Sequence, residues 1–139
     1  MRQSHQQTLD QQRAKQAWDD VQSILNRDDD FKKKYGSYAR KVPMLVLTNG
    51  LGQTLAYLTS KAKFREAKRK VDAQAHGELF KQLSDWTMNQ VASKAGTQDL
   101  LEWVLKSDSS AYRRATAEAL AYLVWLKRFA EAGLPTEEE

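Results

Sequence analysis

Chemistry in a chain of 139 residues has to begin with side chains able to carry it, and here they are few. With no Cys and only two His, disulfides, thiolate nucleophiles and cysteine-held metals are excluded. His5 sits in a polar N-terminal stretch and His76 directly precedes Gly77, and neither belongs to an HxxxH or HxxE pair that could ligate a metal. Asp28, Asp29 and Asp30 are contiguous, so their carboxylates diverge, and the spacing of a calcium loop is missing. They read as a capped, solvated turn. Gly50-Leu51-Gly52-Gln53-Thr54 lacks the Lys and Ser/Thr of a P-loop and the third Gly of a dinucleotide fingerprint. No serine stands in a GxSxG elbow. The expectation is a protein without catalytic residues, metal or cofactor.

What the chain does carry is positive charge. Residues 1–70 hold 15 Lys/Arg against 7 Asp/Glu, whereas residues 71–139 hold 7 against 11. The basic half is the part suited to a polyanion. Within it, Lys61, Lys63, Arg65, Lys68, Arg69 and Lys70 crowd into ten positions. If that segment extends a helix, Lys61, Arg65, Lys68 and Arg69 fall at i, i+4, i+7 and i+8 and form a ridge able to follow a phosphate backbone. If it is a loop, it is an exposed, solvated one. Lys32, Lys33, Lys34, Arg40 and Lys41 make a second patch, interleaved with Tyr35 and Tyr38. Those tyrosines could stack on bases, but their helical spacing favours core contact. Arg113, Arg114, Lys127 and Arg128, two heptads apart, are candidates for pairing with acids or for an interface. Trp18, Trp86, Trp103 and Trp125 lie on or beside apolar stripes, where core packing is the expected role, and one left at the surface would anchor a partner.

The elements that must position these groups read as helices. Six Gly and two Pro leave few residues for turns, and the composition is rich in helix formers. From Thr8 to Leu25, Ala14, Ala17, Trp18, Val21, Ile24 and Leu25 form one stripe, closed by Asn26 and the three aspartates, which also cap the next helix. Phe31, Tyr35 and Tyr38 line that short second helix. Pro43 reads as a break and a first helical position, opening a third helix along Met44, Leu47, Leu51, Leu55 and Leu58. The third stripe continues through Asn49-Gly50, so an unbroken helix is preferred to a turn, with the glycines admitting a close neighbour.

Leu79, Phe80, Leu83, Trp86, Val91 and Ala95 give a fourth helix stopped by Gly96, and Thr97 caps a short fifth over Leu100, Leu101, Val104 and Leu105. After Ser107-Asp108-Ser109-Ser110, the sixth runs along Ala115, Ala119, Tyr122, Leu123, Leu126 and Phe129 to Gly133 and Pro135. The fold class expected is all-α: a compact bundle of about six helices with no sheet, forming one domain over residues 1–136, with 137–139 a short acidic tail. The N-terminus has no apolar stretch of signal-peptide type and the longest strongly apolar run, Met44 to Leu47, is far too short to span a bilayer, so a cytoplasmic protein with no membrane partner is expected.

One stretch is more specific than composition. Lys34-Tyr35-Gly36-Ser37-Tyr38-Ala39-Arg40-Lys41-Val42-Pro43-Met44, then Thr48-Asn49-Gly50-Leu51-Gly52-Gln53-Thr54-Leu55-Ala56-Tyr57 and Ser60-Lys61, closely resembles the small-subunit family of the type III-B CRISPR effector, the Cmr complex. Arg13-Ala14-Lys15-Gln16-Ala17-Trp18 is similar to the family's opening helix. The runs Tyr112 to Ala121 and Trp125 to Ala130 are similar to its closing one. The resemblance covers nearly the whole chain, least distinctively from Lys63 to Lys106. It implies a helical, non-catalytic subunit of an RNA-guided ribonucleoprotein that stacks into the minor filament. The partners it implies are crRNA, single-stranded target RNA, the backbone and large Cmr subunits, and further copies of itself. RNA would be held electrostatically while base pairing reads its sequence. The alternative is a purely structural assembly subunit without direct RNA contact.

Overall fold

Where a short polar side chain can accept an orphan amide, this chain starts a helix. The structure, a computed structural model, describes residues 7–92 and 98–136. In order they form α1 (Leu9–Gln22), α2 (Asp29–Asn49), α3 (Leu51–Ala62), α4 (Val71–Val91), α5 (Leu100–Lys106) and α6 (Ser109–Gly133), with no strand among the described residues. Thr8 caps α1 in a reciprocal box with Gln11, Asp28 caps α2 through the Phe31 amide, and Asp108 caps α6 through the Ala111 amide. The cap of α5 is Asp99, which exchanges bonds with Glu102, rather than the expected Thr97. Thr97 lies outside the described residues, as do Ala95, Gly96, His5 and the acidic tail 137–139.

The break between the second and third helices is not where proline placed it. Pro43 lies inside α2, which runs unbroken from Asp29 to Asn49. Its missing amide leaves the Ala39 carbonyl without the usual helical donor, a fault worth roughly 3 kcal/mol in a helix interior. Burial of Ala39, Val42, Pro43 and Val46 on one face offsets it. The chain turns instead at Gly50, with φ 90° and ψ 157°, a conformation reserved for glycine. The Gly50 amide donates to the Val46 carbonyl at 2.9 Å, ending α2, and its carbonyl accepts from the Thr54 amide at 3.1 Å, starting α3. The expected continuous helix is thus divided, with no hairpin. A close neighbour is indeed present: the Gly52 amide donates to the Tyr112 hydroxyl of α6 at 3.0 Å.

Two long helices organise the core. α6 packs on α1, α2 and α4, and α4 packs on α2, α3, α5 and α6. Being enclosed on most sides, α4 buries small and polar residues as well as apolar ones, among them Ala73, His76, Gln82, Ser84 and Thr87. It begins at Val71, well before the expected apolar stripe at Leu79. A polar network ties four helices together. Tyr122 of α6 donates its hydroxyl to Asp20 of α1, and Tyr35 of α2 donates to Gln82 of α4. The Gln82 amide in turn donates to the Asp20 carbonyl at 3.3 Å. Burial holds the Asp20 carboxyl above the usual range, against the hydrogen bonds from Tyr122 and Gln16, and raises both tyrosines well above theirs.

Candidate nucleic-acid interface

A cation serves an external anion only if the fold has not already given it a partner. Several have one. Arg13 grips Glu118 with two bonds of 2.8 Å, and the Trp86 indole donates to the same carboxylate at 2.9 Å. Burial alone would raise Glu118, but its bonds to Arg13 and Trp86 outweigh that and hold it below the usual carboxylate range. Lys15 pairs with Asp19 at 3.0 Å and Lys81 with Asp85 at 2.9 Å. Arg114 reaches the Val91 carbonyl at 3.1 Å and so ties α6 to the end of α4.

The decad 61–70 is not a helical ridge. α3 ends at Ala62, Lys63 takes the left-handed conformation (φ 54°), and residues 63–70 connect to α4 as a loop. Of the two alternatives the loop holds, and the alignment of Lys61, Arg65, Lys68 and Arg69 that a helix would have given is absent, because its i, i+4 geometry stops at the cap. Arg69 turns inward: its guanidinium donates to the Ala62 carbonyl at 2.9 Å and lies 5.2 Å from the Phe64 ring. Phe64 meets Phe80 edge-on at 5.8 Å. A Cβ at Gly77 would stand 2.9 Å from that guanidinium and 3.0 Å from the Phe64 ring, so the bare glycine makes room for the clasp. Lys63, Arg65, Lys68 and Lys70 remain exposed or nearly so, in no ion pair among the described residues.

On α2, Lys32 pairs with Asp29 at 3.5 Å, Lys33 is exposed, Lys34 is half-buried, and Arg40 lies 3.8 Å from Glu131 of α6. Arg40, Lys41, Lys127, Ser37 and Glu131 line a groove of about 230 Å³ between α2 and α6, so part of the second patch meets one cation of the last helix. Arg113 and Arg128 are exposed on α6. Lys41 also lines a second groove, of about 680 Å³, between α2 and α3. Lys61 reaches the neighbourhood from α3, its ammonium 5.8 Å from the Tyr57 ring. Both lysines depress the same buried histidine. Burial pushes the His76 imidazole below its ordinary value, the Asp72 carbonyl and carboxylate oppose this, and Lys61 and Lys41 reinforce it.

The matching family model is described as CRISPR-associated protein (Cas_Cmr5) and matches residues 9–133. The chain belongs to the Cas_Cmr5 family. It is similar to the CRISPR system Cmr subunit Cmr5 of Thermus thermophilus, with 33% identity over 99 residues that cover 71% of this chain and 74% of that protein. It is also similar to the crystal structure of a CRISPR-associated Cmr5 family protein from the same organism, at 29% identity and a TM-score of 0.70, covering 91% of this chain and 97% of that one. The resemblance read from the Tyr-to-Pro-Met and Asn-Gly-Leu segments and the six-helix, all-α class both stand.

In this Cas_Cmr5 chain the aromatic residue left open beside the cations is neither tyrosine of the second patch. Tyr35 is fully buried, and Tyr38 stacks on His76 at 3.9 Å while its hydroxyl donates to Asp72. Phe64, between Lys63 and Arg65 in the loop, is 49% exposed but packs on Phe80 and Arg69; on the helices Tyr57, 44% exposed, is the one beside the cations that faces solvent. Its sequence signal is the spacing Gln53, Tyr57, Lys61, which sets an amide, a ring and a cation along one ridge of α3. Of the tryptophans, Trp86 is buried, Trp103 and Trp125 are partly buried, and Trp18 is 47% exposed with its ring edge-on to Phe129 at 5.3 Å. No helix of the described residues is long and apolar enough to cross a membrane.

Proposed function

We propose that this chain is the non-catalytic small subunit of the type III-B Cmr complex and holds RNA there by sequence-independent electrostatic contacts. The observation that carries the reading is the set of cations the fold leaves open: Lys41 shared by two grooves, Lys61 beside Tyr57, and Lys63, Arg65, Lys68 and Lys70 on the loop. Family membership supplies the complex. The charges supply the chemistry: each phosphate neutralised by Lys or Arg releases counterions, so affinity falls steeply with salt while base identity goes unread. Sequence is read by guide pairing instead. Partners are crRNA, single-stranded target RNA, the backbone and large subunits, and further copies stacked in the minor filament.

Charge reversal at Lys41, Lys61, Arg65 and Lys68 together tests it. The variant is expected to lose at least about tenfold in affinity for single-stranded RNA at low salt, with the salt slope reduced by about 0.7 for each phosphate left without its cation. Unchanged RNA affinity together with unchanged assembly would overturn the site. A second reading, a subunit that meets only proteins, draws on Met44 and Leu47, which are 60% and 65% exposed on α2, and on Trp18. Photocrosslinking of the assembled complex separates the two. RNA adducts on this chain support the first reading, and their absence under conditions that label the backbone subunits supports the second.

A further inference from the structure

The groove between α2 and α3 differs in kind from its neighbours. A cleft of about 320 Å³ between α1 and α4 contains Asp20, Glu78 and Asp85, another of about 310 Å³ beside Arg69 contains Glu78, and the α2 and α6 groove contains Glu131. The α2 and α3 groove is lined by Lys41, Leu45, Thr48, Asn49, Gln53, Thr54 and Tyr57, with no carboxylate. At about 680 Å³ it is the largest of the four, within the range of sites for small organic groups.

Its walls follow from helix periodicity. Lys41, Leu45, Thr48 and Asn49 stand at i, i+4, i+7 and i+8 on α2, while Gln53 and Tyr57 stand at i and i+4 on α3 with Lys61 one turn beyond the lining, and the Gly50 corner joins the two. The Thr48 and Thr54 hydroxyls spend their hydrogens on the Met44 and Gly50 carbonyls, both at 2.9 Å, and so can only accept. Asn49 and Gln53 carry exposed amides that both donate and accept. The Tyr57 ring is held from within the protein by His76, nearly perpendicular at 5.9 Å, and leaves surface for a second ring.

We propose that this groove seats an unpaired nucleobase of single-stranded RNA, stacked on Tyr57, with Lys41 and Lys61 taking the flanking phosphates; the proposal rests on the RNA-binding reading above. A planar ring, mixed amide donors and acceptors and one cation, Lys41, in a groove lined by no acid, with the Lys61 ammonium 5.8 Å from the ring, match the three parts of a nucleotide: base face, base edge and phosphate. A duplex cannot use the seat, because its base faces are already stacked. Since every base has a π-face, the preference among bases is weak and compatible with holding any sequence.

The test is fluorescence anisotropy with the full chain, a labelled oligouridylate and an abasic oligomer of the same length and charge. The wild-type protein is expected to bind the oligouridylate more tightly than the abasic strand. Tyr57→Ala should weaken oligouridylate binding by about 5- to 100-fold, with Tyr57→Phe close to wild type, and should leave abasic binding unchanged. Thermal melts of both variants verify that each remains folded. Equal weakening for both strands, or for neither, would overturn the base seat and leave electrostatic RNA binding standing. Absence of any salt-dependent binding by wild type to either strand would overturn both. Loss of assembly with other Cmr subunits, with RNA binding intact in Tyr57→Ala, would reassign the groove to a protein and also overturn the proposal.

Discussion

Arg13 and Lys68 carry the same formal charge into opposite situations. Arg13 lies between α1 and α6, locked by two bonds to a buried carboxylate that also accepts from Trp86. Lys68 lies in the connection from α3 to α4, exposed and in no ion pair among the described residues. The first region uses charge to fix which helices meet, and the second keeps it available for an anion. Counting basic residues along the chain cannot separate the two, because the difference resides in burial and in partners distant in sequence, Glu118 for Arg13.

The sharpest way to break the comparison is at its buried side. Glu118→Ala leaves the Trp86 indole without its acceptor and Arg13 with only its 3.3 Å bond to Asp10, and a loss of about 3 kcal/mol is expected, at the low end for a broken buried pair because Arg13 keeps that partner and some exposure. Urea denaturation measures it, and a loss under about 1 kcal/mol would show that the pair does not hold α1 to α6. Gly50→Ala tests the corner between the grooves. Its φ of 90° is strained for any side chain, and a cost of about 2 kcal/mol should appear in the thermal midpoint. A continuous helix through this point would instead be stabilised by alanine.

Within the loop, Arg69→Ala and Lys68→Ala place the boundary one residue wide. Arg69→Ala loses the bond to the Ala62 carbonyl and the packing on Phe64, about 1 kcal/mol, while Lys68→Ala stays within about 0.5 kcal/mol of wild type. In RNA affinity the order should reverse. The smallest effect expected is pH dependence from His76. Its folded pKa is lowered, so the unfolded chain takes up a proton first as pH falls through about 6.5, and stability present above that value declines until the folded form also protonates. Chemical denaturation at about pH 7.5 and about pH 5.5 should show this loss, and His76→Gln should flatten it.

The sequence made the amphipathic parts of this fold legible. α1 and α6 present one stripe each, and their caps at Thr8 and Asp108 stand where short polar residues precede the stripe. Pro43 and Gly50 misled in complementary ways. A proline's local cost was outweighed by packing on the α2 face, and an apolar spacing that persists through Gly50 conceals a backbone angle that period alone does not reveal. The first turns of α4 went unread because Asp72 to Glu78 hold only small and polar residues, with no large apolar side chain to mark a stripe. As for the candidate site, the basic residues were visible, but their separation into clasped and open was not. Arg69 is held by a main-chain carbonyl, which leaves no trace in residue types.

Gly77 gives that separation an unexpected controller. The atoms a methyl group would strike there are the tip of Arg69 and the rim of Phe64, both ends of side chains able to swing aside. Alanine at this buried position would therefore leave the helix in place and unlatch the loop, adding the Arg69 guanidinium to the charges on display. One hydrogen atom in the interior thus sets the valence of the surface.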